Sequence, residues 1–274
     1  MRVVILCSSL YSETSCAMAV RLAQLGYVPT GAVTLPTLDL RTLMRKLGQW
    51  GVHEIVRYAR TKLISHNSSD AQLRNPYLQQ LLKHKTGSVR SLREVAACYS
   101  FPIVTCRNQN APDSIAQLNE WSPDVIVFTG GNILQEPLLR APRLGVLNLH
   151  LGLLPEIRGM SSPEWSLLND VPVGVTVHYI DVGIDTGPIL RRCEFPDAAQ
   201  CVSLDDLRNR LIAFGIEKVG EVVAAVDRGR ILAEPQPELD EDNQYFVMHE
   251  RLQAQAALRL KQGHGAAAAA RSHG

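Results

Sequence analysis

The sequence predicts an α/β fold built on a doubly wound, mostly parallel sheet, with a helical insert and a short C-terminal helical appendage. Three observations carry that expectation. The chain opens as strand, turn, helix and strand, and the same alternation resumes beyond residue 100. Its apolar runs, such as Val125-Ile126-Val127-Phe128-Thr129, lack a polar face, which suits strands covered on both sides. The late segment Gly145-Val146-Leu147-Asn148-Leu149-His150 ends in polar residues, where open α/β sheets place their ligands.

Taken in order, Val3 to Cys7 is a β-branched run suited to a buried strand. Ser8, Ser9 and Ser12 supply turn and cap hydroxyls, and Glu13 falls in the first turn of a helix through Ala17, Val20, Leu22 and Leu25, which Gly26 can end. Val28 to Leu35 is the next strand, closed by Pro36. Residues 38–100 read as mostly helical, with loops near Ser65–Ser69 and around Gly87. Leu43, Leu47, Ile55, Leu63, Leu78, Leu81 and Leu82 are its expected core contacts.

Strands are then expected at Pro102–Cys106, 125–129, 145–150, Val173–Ile180 and Pro188–Cys193, the last pairing antiparallel to the one before it. Helices are expected at Ala111–Glu120, Leu134–Arg140 and Leu204–Val226, with Ser203 as a cap and a break tolerated at Gly215 or Gly220. The organisation expected is a main domain over 1–235 holding the insert 38–100, an extension over 236–262, and a disordered tail over 263–274.

Composition narrows the function. Of 274 residues, 46% are hydrophobic and 20% charged, which excludes wholesale disorder. Twenty-eight Lys and Arg against 27 Asp and Glu leave a net charge of +1, and so no overall field for nucleic acid or a membrane surface. The six cysteines form no C-x-x-C pair, so neither a zinc site nor a disulfide framework is signalled. No run approaches the ~20 apolar residues of a membrane span. A cytoplasmic protein without a metal is expected, its oligomeric state open. The charge is uneven, however: between Arg41 and Asn110 twelve Lys or Arg stand against three acids, a local +9 balanced by −8 elsewhere. Such a segment fits either an anion-attracting surface or a solvated helical one.

The chemistry concentrates between Gly145 and Leu190. Alternation along a strand puts Asn148 and His150 on one face, an amide donor beside a titratable imidazole. The pair can hold a developing oxyanion and move a proton; taken alone, it also fits a satisfied polar strand end. Asp185 comes after a turn at Gly183, where a carboxylate is either aimed at a site or merely caps the turn.

Three stretches, Pro123-Asp124 through Leu134, Gly145 through Pro155 with Arg158-Gly159, and Gly174 through Leu190, together resemble the folate-dependent formyltransferase family. That family spans glycinamide ribonucleotide transformylase, methionyl-tRNA formyltransferase and the sugar N-formyltransferases. Order and spacing agree over roughly residues 123–190. The resemblance implies a Rossmann-like catalytic domain, with Asn148, His150 and Asp185 as the catalytic trio and 10-formyltetrahydrofolate as the formyl donor. It places the pterin between Gly131-Asn132-Ile133-Leu134 and Asp181-Val182-Gly183-Ile184, and requires no metal. An amine attacks the formyl carbon directly. The Asn148 amide and a protonated His150 meet the oxyanion, and Asp185 would raise the imidazole pKa and organise a water that moves the amine proton. His178 and Thr176 project near that site, or are strand residues with satisfied polar tips.

Departures from the family point to its small-molecule branch. The first turn, Cys7-Ser8-Ser9-Leu10-Tyr11, lacks the glycine-rich phosphate cradle expected for glycinamide ribonucleotide. The stretch after residue 233 is too short for a β-barrel RNA-binding domain, and from Glu234 onward acids outnumber bases, which disfavours transfer RNA. Gly152 stands where many relatives have Ser. The acceptor expected is therefore a small-molecule amine, such as an amino sugar, an amino acid or a natural-product intermediate, with no nucleic acid or membrane partner. A 10-formyltetrahydrofolate hydrolase and a non-catalytic ligand-binding protein of the same fold are the alternatives.

Overall fold

The protein is described by a computed structural model covering residues 1–36, 75–84, 87–237 and 243–263. Its centre is a seven-stranded sheet. The strands are β1 (Val3–Cys7), β2 (Gly31–Thr34), β5 (Ile103–Thr105), β6 (Val125–Phe128), β7 (Gly145–His150), β9 (Gly174–Tyr179) and β10 (Ile189–Glu194). They lie in the order β10-β9-β7-β6-β1-β2-β5. The first five in the chain pair in parallel, while β9 runs antiparallel to β7 and β10 antiparallel to β9. The chain winds outward from β1 through β2 to β5, then returns to β6 on the other side of β1. The point of reversal is therefore the crevice between the C-terminal ends of β1 and β6.

Period-two alternation builds a core on each face. Val3, Ile5 and Cys7 point to the face covered by α1 (Glu13–Gln24), and Val4 and Leu6 to the face holding Leu118, Ile126 and Leu138. All five side chains are buried, which is why β1 reads as continuously apolar. Helix α1 begins at Ser12, whose hydroxyl accepts the Ser15 N–H, and its buried side presents Ala17, Met18 and Leu22.

Between β2 and β5 the described chain holds a short helix α2 (Pro76–Gln79), a two-residue hairpin of β3 (Lys83–His84) and β4 (Gly87–Ser88), and helix α3 (Leu92–Tyr99). The helical reading of residues 38–74, with Leu43, Leu47, Ile55, Leu63 and the Ser65–Ser69 loop, lies outside the described residues, as does most of the basic excess and the tail beyond 263. Leu78 and Leu82 are buried, and Leu81 packs against the same cluster. Around Gly87 the structure has a strand pair rather than a loop, since Lys83 pairs with Ser88 and His84 with Gly87.

On the other side of β5, helix α4 (Pro112–Trp121) and the short α5 (Glu136–Leu139) contribute Leu118 and Leu138 to the second face. Beyond β7 come a two-residue strand β8 (Arg158–Gly159) and helix α6 (Ser162–Leu168). The long helix α7 (Leu204–Asp227), capped by the Ser203 hydroxyl, continues without a break through Gly215 and Gly220. Both glycines are buried in the packing, so they serve contact rather than interruption. The C-terminal helix α8 (Glu250–Lys261) buries Ala256 and Leu260 in a cluster with Leu167, Val173 and Leu207. Just before it, β11 (Gln244–Tyr245) pairs in parallel with β8, setting Gln244 beside Arg158 and Tyr245 beside Gly159. Among the described residues, no helix is long and apolar enough to cross a membrane.

Candidate active site

The site grows from the antiparallel pairing of β7 with β9. That register sets Asn148 opposite His178 and His150 opposite Thr176, so one sheet face gathers an amide, two imidazoles and a hydroxyl. The loop after β9 then turns back and brings Asp185 over them. Asp185 itself sits at φ +54°, a left-handed conformation that aspartate tolerates better than most residues.

Asp185 is the hub. One carboxylate oxygen, Oδ2, accepts the Gly159 N–H at 2.9 Å and lies 3.4 Å from His150 Nδ1. The other, Oδ1, lies 3.5 Å from both the Asn148 amide nitrogen and His178 Nε2. Burial works to raise the Asp185 pKa, but the His178 ring, the charge interaction with His150 and the Gly159 N–H outweigh it and hold the carboxyl at about 2. The carboxylate is therefore ionised throughout the working range of pH.

His150 is held from its far side. Its Nε2 is 2.7 Å from the Ile157 carbonyl oxygen, which can only accept, so Nε2 carries a hydrogen and Nδ1 is the nitrogen left facing Asp185. Burial lowers the His150 pKa below 6.5, against the opposing pull of Asp185 and of the Ile157 carbonyl. This corrects the sequence reading, in which Asp185 would raise it. The ring is only 5% exposed, and loss of hydration outweighs the neighbouring charge. The resting His150 is a neutral base rather than an imidazolium.

Asn148 is oriented by His178. His178 Nδ1 is 2.8 Å from the Tyr179 carbonyl oxygen and so carries a hydrogen. Its Nε2 lies 3.1 Å from the Asn148 amide nitrogen and 3.5 Å from Asp185 Oδ1, and accepts an amide hydrogen from the nearer Asn148. With one amide hydrogen on His178, the second meets Asp185 only at the 3.5 Å limit and is available to another acceptor. Thr176 has a different task. Its hydroxyl donates to the Gly152 carbonyl at 2.7 Å and accepts the Leu154 N–H at 3.0 Å, fixing the turn beneath His150.

The two loops assigned to the pterin follow β6 and β9, the strands on either side of β7. Ile133 is 85% exposed, Val182 79% and Ile184 48%, large apolar side chains held out beside a polar centre. Leu134, by contrast, is buried in the core, and Asp181 is engaged within its own loop, accepting from the Gly183 N–H and the Thr186 hydroxyl. Gly131 and Asn132 form the backbone of the first loop, and Gln109 lies directly beneath them: a Cβ on Gly131 would come 2.0 Å from Gln109 Oε1. Among the described residues, no group of three or more His, Cys, Asp or Glu is placed to hold a metal ion.

Sequence reasoning does not select three of the groups that shape this site. His178 stands in the sequence only as a neighbour of the trio, and its role comes from strand register. Gln236 donates to the carbonyls of Asp185 and Gly187 at 2.9 and 2.7 Å, tying the chain after α7 to the loop that bears Asp185. Gln109 is a lone glutamine ahead of a helix. No local signal in the sequence marks either glutamine.

A family model described as "Formyl transferase" matches residues 71–223. The chain belongs to the formyl transferase family. Among its relatives, methionyl-tRNA formyltransferase of Trichlorobacter lovleyi is 34% identical over 155 residues, covering 56% of this chain and 48% of that protein. The chain thus spans about half the length of the curated relatives it matches. Among solved structures, glycinamide ribonucleotide transformylase 1 from Symbiobacterium toebii superposes with a TM-score of 0.56 at 18% identity, covering 86% of this chain and 95% of that one. The N-formyltransferase from Helicobacter canadensis, in complex with folinic acid and dTDP-3-aminofucose, gives a TM-score of 0.54 at 14% identity over 95% of this chain and 80% of the other. At these identities, the two structures establish that this member of the family shares their fold.

Proposed function

We propose that this chain transfers a formyl group from 10-formyltetrahydrofolate to the primary amine of a small molecule, with Asn148, His150 and Asp185 as its catalytic residues. The observation that carries the reading is the convergence of Asn148, His150 and His178 on one ionised carboxylate, Asp185. Exposed Ile133, Val182 and Ile184 on either side offer an apolar clamp that fits a pterin ring, with Gly131, Asn132 and Gly183 supplying close-approaching backbone. The donor, when bound, would supply an electrophilic formyl carbon and, as leaving group, the N10 nitrogen that bridges its pterin and benzoyl parts.

Each residue's part comes from its contacts. The second Asn148 amide hydrogen, held by Asp185 only at 3.5 Å, can turn to the oxyanion that develops when an amine attacks. His150 Nδ1, neutral at rest, takes the proton that the attacking amine must lose; its Nε2 cannot, being committed to Ile157. The imidazolium then formed, paired with Asp185 at 3.4 Å, returns that proton to the folate nitrogen as its bond to the formyl carbon breaks, leaving tetrahydrofolate and neutral His150. No acyl-enzyme is needed, because the amine is itself the nucleophile.

A panel of amines incubated with 10-formyltetrahydrofolate and read by mass gain of one formyl group tests this reading. The panel holds nucleotide-linked amino sugars, amino acids and charged methionyl-tRNA. Formylation of a small amine with no turnover of the tRNA supports it. Turnover confined to the tRNA, which the sequence relatives favour, would replace the acceptor, while formate release without any formylated product would make the protein a hydrolase.

A further inference from the structure

The loop from Gly130 to Gln135 makes almost none of its own structure. Among the described residues, no backbone-to-backbone hydrogen bond is donated by residues 130–134. The loop is held instead by two side chains from the segment before α4. Gln109 is completely buried. Its Nε2 donates to the Cys7 carbonyl at 3.2 Å and to the Gly130 carbonyl at 3.3 Å, bridging the ends of β1 and β6 across the point where the sheet reverses. Its Oε1 accepts the Asn132 N–H at 2.9 Å, and its own N–H donates to Asn132 Oδ1 at 3.1 Å. Asn110 continues the clasp, donating from Nδ2 to the Ile133 carbonyl at 2.9 Å and accepting the Gln135 N–H at Oδ1 at 2.8 Å.

The pairing is reciprocal and exacting. Gln109 and Asn132 exchange backbone and side-chain groups, and Gly131 has no Cβ because Gln109 occupies that space. Buried polar groups satisfied in this way fix one conformation, since every alternative leaves a donor or acceptor unpaired. The consequence is carried to the exposed tip at Ile133, whose carbonyl is held by Asn110 while its side chain stands in solvent.

We propose that Gln109 and Asn110 are positioning residues for the formyl donor, setting its affinity by holding loop 130–135 in the shape that receives the pterin. This rests on the proposed function, in which the loop contacts the donor. A loop pre-ordered without ligand spares the donor the entropy of ordering it, so releasing the clasp weakens donor binding and leaves the reacting groups on β7 and β9 in place.

The experiment compares wild type with Asn110→Ala, Gln109→Leu and, on the opposite loop, Val182→Asp. Calorimetric titration with 5-formyltetrahydrofolate is combined with steady-state kinetics on the acceptor found by the amine panel. For Gln109→Leu, the donor KM and the 5-formyltetrahydrofolate Kd are expected to rise about tenfold or more, and for Asn110→Ala about threefold to tenfold. The kcat at saturating donor and the acceptor KM should stay within about twofold. A purely structural role would instead lower kcat through loss of folded enzyme and leave the donor KM unchanged. Asn110 lies near the surface, so its variant reports even where Gln109→Leu fails to fold. Unchanged donor KM and Kd in folded Asn110→Ala, with Val182→Asp weakening the donor, would overturn the clasp alone. Failure of wild type to bind the folate would overturn the clasp together with the function it rests on.

Discussion

His150 Nδ1 lies 3.4 Å from Asp185 Oδ2, while the opposite nitrogen of the same ring is fixed to the Ile157 carbonyl at 2.7 Å. The ring therefore has one committed nitrogen and one working nitrogen, and the working one faces an ionised carboxylate. Replacing either partner by Ala is expected to lower kcat by about 100-fold or more with the fold retained, the usual scale for losing a positioned acid–base group. Asn148→Ala should lower kcat by about 100-fold as well, with little change in either KM, because its amide meets charge only in the transition state. Turnover near wild type in folded variants, or an effect confined to KM, would remove the trio from catalysis.

In the proposed mechanism His178 acts on Asn148, its 3.1 Å neighbour, rather than on the reacting atoms. His178→Ala removes the acceptor that holds one amide hydrogen, so the Asn148 amide is free to rotate toward Asp185. The expected result is a fall in kcat of about tenfold, smaller than that of Asn148→Ala, with the two losses failing to add in the double variant. Additive losses would show that His178 works independently of Asn148.

The site also predicts a pH dependence. Burial lowers the His150 pKa below 6.5 in the folded protein, so kcat should hold steady down through neutral pH and fall only on an acid limb below that value. Stability moves in the same direction. The unfolded chain takes up a proton at His150 where the folded one does not, so this contribution is complete above 6.5 and is lost as pH falls through the lower folded value. Asp185 adds a second step: with its pKa lowered from 3.8 to about 2, it contributes about 2 kcal/mol above the upper value, lost as pH falls toward the lower. Denaturant melts between pH 2 and 7 on wild type and Asp185→Asn check both steps. A basic limb instead, with kcat falling as pH rises through 6.5, would show that His150 works as a cation.

How far the sequence reveals this molecule depends on whether a feature is local. The strand β6 and the Asn148–His150 pair are legible because apolar runs and strand alternation are properties of short segments. The loop position of Asp185 is legible from the turn at Gly183 that precedes it, but its place beside Asn148 and His150 only from the family resemblance. The pairing of Asn148 with His178 is not, because it depends on the register of β7 against β9, which is set thirty residues apart. The direction of the His150 pKa is misread from sequence for a related reason: the neighbouring charge can be inferred from a motif, whereas the burial that outweighs it is a property of the whole core. Gln109 is illegible altogether, since its three partner residues, Cys7, Gly130 and Asn132, lie on β1 and the loop after β6.

Gly152 gives the site a size limit that can be measured. A Cβ there would lie 2.8 Å from His150 Nε2, 3.0 Å from Ser162 Cβ and 3.1 Å from the Ile157 oxygen, wedged between the two partners of the bond that orients the imidazole. The turn cannot easily retreat, because the Thr176 hydroxyl grips both the Gly152 carbonyl and the Leu154 N–H. The ring must then give way, lengthening its bond to Ile157 and shifting Nδ1 relative to Asp185. Gly152→Ala is therefore expected to lower stability by about 1–3 kcal/mol, the usual cost of overpacking a tight interior. It should also lower kcat by about tenfold while both KM values stay within about twofold, since the displaced group acts in the transition state. Gly152→Ser should restore none of the lost kcat, because the clash arises at Cβ and precedes any hydroxyl contact. Denaturant melts, kcat and the imidazole nitrogen shifts of His150 track the three consequences separately. Full turnover in Gly152→Ala, with the His150 nitrogen shifts unchanged, would show that the ring can share this space and that its bond to Ile157 does not depend on the glycine.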